Sequence, residues 1–146
     1  MLTREGKKRI IIKKEIGNER AMADMEIKQR VQELQLELSK GNPFGEKVLL
    51  VAATKMQTVE VINYAIEAGV DAVAENKPQE FRDKNEALLP CPRHFIGHLQ
   101  TNKIKYLIGK VELFHSCDRD DLVDALAKPS LQRGLTTNIL IQINIG

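Results

Sequence analysis

Cysteine is scarce in this sequence and tryptophan is absent. The two cysteines, Cys91 and Cys117, lie too far apart for a Cys-x-x-Cys pair. They form neither a disulfide framework nor a closed zinc site by themselves, and a reducing cytoplasm is the expected setting. No apolar run approaches the roughly 18–20 residues of a membrane span. The charged N-terminus, whose apolar stretch is only Ile10 to Ile12, lacks the pattern of a secretory signal. Neither sign of charge dominates: 22 Lys and Arg stand against 20 Asp and Glu, and a net charge of +2 gives no reason to expect nucleic acid. There is no HExxH. His94 and His98 are four apart in a segment that reads as a strand, which is not the one-turn spacing that pairs metal ligands on a helix. No metal is expected.

What is present is a chain of 146 residues, 42% hydrophobic and 29% charged, long enough for one domain with a core. Residues 1–24 are charge-rich without a sustained period, and glutamates Glu5, Glu15 and Glu19 break up what would otherwise be a basic arm. They are expected to be a mobile extension, with Met22 or Met25 opening the functional chain. From Met25 the pattern is regular. Ile27, Val31, Leu34 and Leu38 predict a helix from about Met25 to Lys40 with one apolar face. GNPFG ends it, and KVLLVAAT is a short apolar run of the kind that forms a strand buried on both faces. Thr58 can cap the next helix, which carries Val59, Ile62 and Ile66 and ends at Gly69.

The unit then repeats. VDAVAEN, RHFIGH, VELFHSC and NILIQINIG read as four more strands. Between them fall helices opened by Pro78, bearing Ile104, Leu107 and Ile108, and capped by Asp118 with Asp121. Strands alternating with amphipathic helices predict an α/β fold with a parallel sheet. The first of these strands ends in AATKMQT rather than in a glycine-rich turn, which disfavours a dinucleotide-binding sheet. The expectation is a partial (β/α) TIM-type barrel over residues 25–146, with about five parallel strands and an N-terminal helix, where a whole barrel takes about 250 residues and eight strands.

Such folds gather reactive side chains where strands end. At those places stand Lys55, then Glu75 and Asn76, then His98, Gln100 and Asn102, then Asp118 and Arg119, then Asn144. This ring suits a small ligand, although helix caps and loop residues are polar in any fold. Lys55 is the most informative member, because a lysine partly desolvated at a barrel mouth has a lowered pKa and can attack an aldehyde as a Schiff base. Cys117 reads as a structural thiol, and Lys103, Lys105 and Lys110 read as a solvated helix face.

At these residues the chain resembles the YggS/PROSC family of pyridoxal phosphate homeostasis proteins. VLLVAATKMQTVEVINYAIEAG is similar to the family's first strand and helix, and VAENKPQE to its FGEN-x-x-QE. HFIGHLQTNK resembles HFIG-x-LQ-x-NK, FHSCDR resembles the HS-x-D segment, and ILIQINIG resembles VLIQVNI. The five fall in the family's order and together cover nearly everything from Met25 to Gly146. The resemblance implies a barrel of the alanine-racemase type without that enzyme's second domain. It implies pyridoxal 5'-phosphate as cofactor, held as a Schiff base on Lys55 with Asn76 near the ring, and a role in vitamin B6 homeostasis without robust catalysis.

Two alternatives stand beside this expectation: a racemase-like enzyme that transforms amino acids, and a non-binding remnant that needs a partner chain. The departures are Thr54 before the lysine, Gln57 and Thr58 after it, Ala74 in place of glycine, and Lys77-Pro78 at the variable pair. The family's phosphate-holding serine, glycine and arginine residues belong to later strands, so the resemblance implies a C-terminally truncated form. The partners expected are the small-molecule cofactor alone, with no nucleic acid and no membrane. The family is monomeric, but an open apolar sheet edge after NILIQINIG favours self-association.

Overall fold

Short runs rich in Val, Leu, Ile and Ala build the sheet, and its order follows the chain. The computed structural model describes residues 9–13, 22–143 and 145. Six strands occur there: β1 (Arg9–Lys13), β2 (Val48–Ala53), β3 (Ala72–Glu75), β4 (Arg93–Phe95), β5 (Leu113–Cys117) and β6 (Asn138–Ile141). All neighbours are parallel and the spatial order is β1-β2-β3-β4-β5-β6. A doubly wound sheet reverses its strand order at a switch point. This one never does. Right-handed crossovers in an unreversed order place every connecting helix on the same face, and the sheet curls around the other. The protein is a partial (β/α) barrel.

Among the described residues four helices and two 3-10 segments make the connections: α1 (Met22–Ser39), α2 (Val59–Glu67), α3 (Pro78–Lys84) and α4 (Asp120–Arg133), with 3-10 turns at Asn85–Ala87 and Thr101–Tyr106. The predicted face of α1 is the buried one, since Ile27, Val31, Leu34 and Leu38 all pack with Leu50 and Ala52 of β2 and Ile62 and Ala65 of α2. Thr58 caps α2 by accepting the Val61 N–H, and Gly69 beyond its end takes a φ of 102°, which glycine adopts freely. A second cluster joins Phe95 and Phe114 to Leu99, Ile104, Leu107, Leu122 and Leu126. Full burial of side chains such as Phe95 and Leu107 contributes roughly 2–3 kcal/mol each. The inner face holds smaller groups, with Val51, Ala72 and Ala74 beside Leu49 and Ile96.

Three expectations need correction. Arg9–Lys13 lies within residues 1–24, which the sequence reading sets aside as an extension, yet it pairs with β2 from Arg9↔Val48 to Lys13↔Ala52. The segment after β4 is a 3-10 turn of six residues, not a full α-helix. Asp118 does not cap α4: the capping position belongs to Arg119, in extended conformation, and no side chain there makes a capping hydrogen bond. Arg119 instead reaches Asp118 at 2.9 Å and Asp121 at 3.1 Å and donates to the Leu99 carbonyl. The two acids serve the arginine.

At the end of β6 and just past it, Ile141, Ile143 and Ile145 are all exposed. No described helix is long and apolar enough to cross a membrane.

Candidate functional site

The register of β2 on β3 sets Ala53 beside Ala74. Two residues beyond that pair in each segment stand Lys55 and Asn76, just past the carboxyl ends of the two neighbouring strands. Lys55 is half-buried and opens a tight turn after β2, in which the Gln57 N–H donates to the Thr54 carbonyl at 3.1 Å. Asn76 is also half-buried, but its Oδ1 is shielded from solvent and has no hydrogen-bond donor among the described residues. An amide oxygen in that condition is costly in a folded protein and fits a bound group that donates to it.

Asn76 forms one wall of a cleft of about 220 Å³ with Lys77, Pro78, Gln79, His98, Gln100 and Lys103. The cleft thus joins the loop after β3 to the loop after β4. The two loops pass in close backbone approach at Gly97, where an added Cβ would lie 2.0 Å from the Asn76 carbonyl oxygen. Only glycine fits there.

Of the predicted ring, the structure therefore brings Asn76, His98 and Gln100 into one cleft, with Lys55 on the adjoining strand end. His98 Nδ1 lies 3.6 Å from Asp118 Oδ2, which ties the next strand end to the same rim. Asn102 is exposed and does not line the cleft. Arg119 is committed to the Leu99 carbonyl and two acids. Asn144 lies outside the described residues.

Glu75 leaves the ring altogether. It is 4% exposed and turned toward α3, where its Oε1 accepts from Lys84 Nζ at 3.0 Å and from Thr54 Oγ1 at 2.8 Å. Lys84 was not singled out by the sequence, yet it also bonds Glu80 Oε2 at 2.8 Å and the Thr54 carbonyl at 3.4 Å. Burial works to lower the Lys84 pKa, but the hydrogen bonds it donates to Glu80 and Glu75 outweigh it and the net shift is upward. Glu80 is held below the usual carboxylate range, chiefly by Lys84. Their i, i+4 spacing was the available signal.

The inner face carries a second unforeseen pair. His115 Nε2 and His94 Nδ1 share a hydrogen bond of 3.1 Å across β5 and β4. Strand alternation turns both away from Phe95 and Phe114, which face the helices. Cys117 is buried, and burial pushes its thiol pKa up, as befits a packing residue more than a nucleophile.

A parallel sheet in unreversed order, with its polar side chains collected at the carboxyl-end rim, defines a (β/α) barrel of the kind that binds small molecules at that rim. No family model matches the chain. Among curated relatives, the pyridoxal phosphate homeostasis protein of Aquifex aeolicus is 44% identical over 99 residues, covering 66% of this chain and 43% of the relative. That of Deinococcus radiodurans is 41% identical over 100 residues, covering 68% and 47%. Among solved structures, PipY of Synechococcus elongatus with pyridoxal phosphate bound superposes with a TM-score of 0.72 at 28% identity, over 82% of this chain and 55% of PipY. An unknown protein from Bifidobacterium adolescentis gives 0.71 at 30% identity, over 87% and 59%. The chain belongs to the pyridoxal phosphate homeostasis family, and it spans about half the length of the curated relatives it matches.

Proposed function

We propose that this chain binds pyridoxal 5'-phosphate in the service of vitamin B6 homeostasis, with Lys55 as the residue that holds the cofactor as a Schiff base. The observation that carries the reading is that Lys55 and Asn76 each follow the Ala53↔Ala74 pair by two residues at the β2–β3 rim, the amide oxygen of Asn76 lacking a donor among the described residues. PipY, solved with the cofactor bound, supports the choice of ligand. When bound, the cofactor supplies an aldehyde for the amine and a ring that withdraws electrons.

The residues present fit it. Lys55 provides the amine, half-buried at the rim. Asn76 provides an acceptor for a donor on the ligand. Lys77, His98 and Lys103 give the adjoining cleft a basic lining, which draws an anionic ligand toward the rim.

The test is a visible absorbance spectrum of the chain mixed with pyridoxal phosphate, followed by borohydride reduction and peptide mapping. A yellow protein labelled at Lys55, with the label lost in Lys55→Ala, is the expected result. Labelling that is the same in Lys55→Ala would overturn the assignment.

A further inference from the structure

Lys55 sits between two residues that are each tied down by the same small group of side chains. Thr54, before it, is 1% exposed and donates from its backbone N–H to the Ala74 carbonyl at 2.9 Å and from Oγ1 to Glu75 Oε1 at 2.8 Å. The Thr54 carbonyl accepts from Lys84 Nζ. Met56, after it, donates its N–H to Glu80 Oε2 at 2.9 Å. Lys84 joins the two sides, because its ammonium lies within hydrogen-bonding distance of both Glu75 Oε1 and Glu80 Oε2.

Met56 is the one non-glycine residue with positive φ among the described residues, at 61°. An L residue reaches that region only at a cost, and surrounding structure must impose it. Its side chain does not, being 82% exposed. Its backbone is held instead, by the Glu80 carboxylate on its N–H and by the Gln57 N–H that closes the turn on the Thr54 carbonyl. The cluster is also expensive in its own right, since Glu75 is buried and its Oε2 has no hydrogen-bond donor among the described residues. Apolar side chains would join β3 to α3 at lower cost. What apolar side chains cannot do is hold a backbone N–H on one side of a turn and a hydroxyl and carbonyl on the other.

We propose that Glu75, Glu80 and Lys84 form a clamp that fixes the strained turn around Lys55 and thereby sets the approach of its amine to the ligand. The three are positioning residues, and the inference rests on the reading of Lys55 as the cofactor lysine. Glu80 is the member to vary, because it is the most exposed of the three side chains, at 23%.

The experiment measures borohydride-trapped pyridoxal phosphate on Lys55 in the full chain, for wild type, Glu80→Ala, Glu80→Gln and Glu80→Ala/Met56→Gly, with far-ultraviolet circular dichroism as the check on folding. Glu80→Ala is expected to lower capture about tenfold, the scale of a modest misplacement of a reacting group. Glu80→Gln loses less, because a carboxamide oxygen still accepts the Met56 N–H. Met56→Gly recovers part of the loss, because glycine takes the left-handed conformation without help. A merely structural role for Glu80 would not give that rescue.

Equal labelling in wild type and Glu80→Ala overturns the clamp and leaves Lys55 as the cofactor lysine. Absence of pyridoxal phosphate from Lys55 in the wild type overturns that reading instead. Acylation of Lys55 by acetic anhydride, which needs no cofactor site, then decides the clamp: a pH profile moved by Glu80→Ala supports it, and an unmoved profile overturns it.

Discussion

His94 and His115 face each other across β4 and β5 with Nδ1 and Nε2 3.1 Å apart and ring centroids 5.0 Å apart. A single proton lies between those two nitrogens, so one ring must accept while the other donates. Charging both would set two N–H groups against each other in a place where His94 is 2% exposed. Burial lowers the pKa of His94, and burial together with the His94 charge lowers that of His115 to about 4.

The first prediction follows from the sign of that shift. Between pH 6.5 and about 4 the unfolded chain binds a proton at His115 that the folded chain refuses. Stability should therefore be fully present above pH 6.5 and fall as the pH drops toward 4, by at most about 1.4 kcal/mol per pH unit for the one proton. Urea midpoints across that range measure it. His115→Gln should flatten the slope, and an identical slope in that variant would remove the pair as its cause.

Asn76→Ala should separate binding from folding. The amide oxygen has no protein donor to lose, so the urea midpoint should move little. Capture of pyridoxal phosphate should weaken by about 1 kcal/mol, roughly fivefold, without disappearing. Wild-type affinity in the variant would assign Asn76 a structural role.

Gly97→Ala should destabilise the chain by about 2–3 kcal/mol, because its Cβ would collide with the Asn76 backbone. Chemical denaturation gives the number. The same variant should disturb ligand capture, since the backbone it displaces carries Asn76. A midpoint equal to wild type would mean that the two loops do not touch in solution.

Phe95→Ala and Leu131→Ala make a matched test of the core. Phe95 is 1% exposed and should cost about 3–5 kcal/mol. Leu131, although on α4, is 80% exposed and should change stability by less than about 0.5 kcal/mol. Comparable losses at both positions would contradict the placement of α4 on the sheet.

The features legible in the sequence were those that repeat. Ile27, Val31, Leu34 and Leu38 announced the face of α1 because burial must recur at the helical period, and all four pack where expected. Lys55 and Asn76 were legible as strand-end residues, and each stands just past the end of its strand, beyond the Ala53↔Ala74 pair. β1 escaped because RIIIK is a five-residue run between charged neighbours, too short to show alternation, and only its partner β2 reveals it. Glu75 was misplaced because one residue of register turns a side chain from the rim to the helix layer. The His94–His115 pair escaped because its members lie 21 residues apart, and their meeting depends on which residues β4 and β5 align. Asp118 carried the pattern of a capping residue, but Arg119 offered its carboxylate a stronger partner than a backbone N–H.

Strand order that follows chain order has a bearing on how the molecule is made. Each strand needs for its partner only the one synthesised just before it, with the connecting helix already in hand to cover the joint. Val51 finds Ala72 and Ala74 finds His94 across separations of about twenty residues, and among the described strands no pairing waits on a segment from the far end of the chain. A ribosome emitting this sequence would release one adhesive unit at a time, each closing on its predecessor as it emerges.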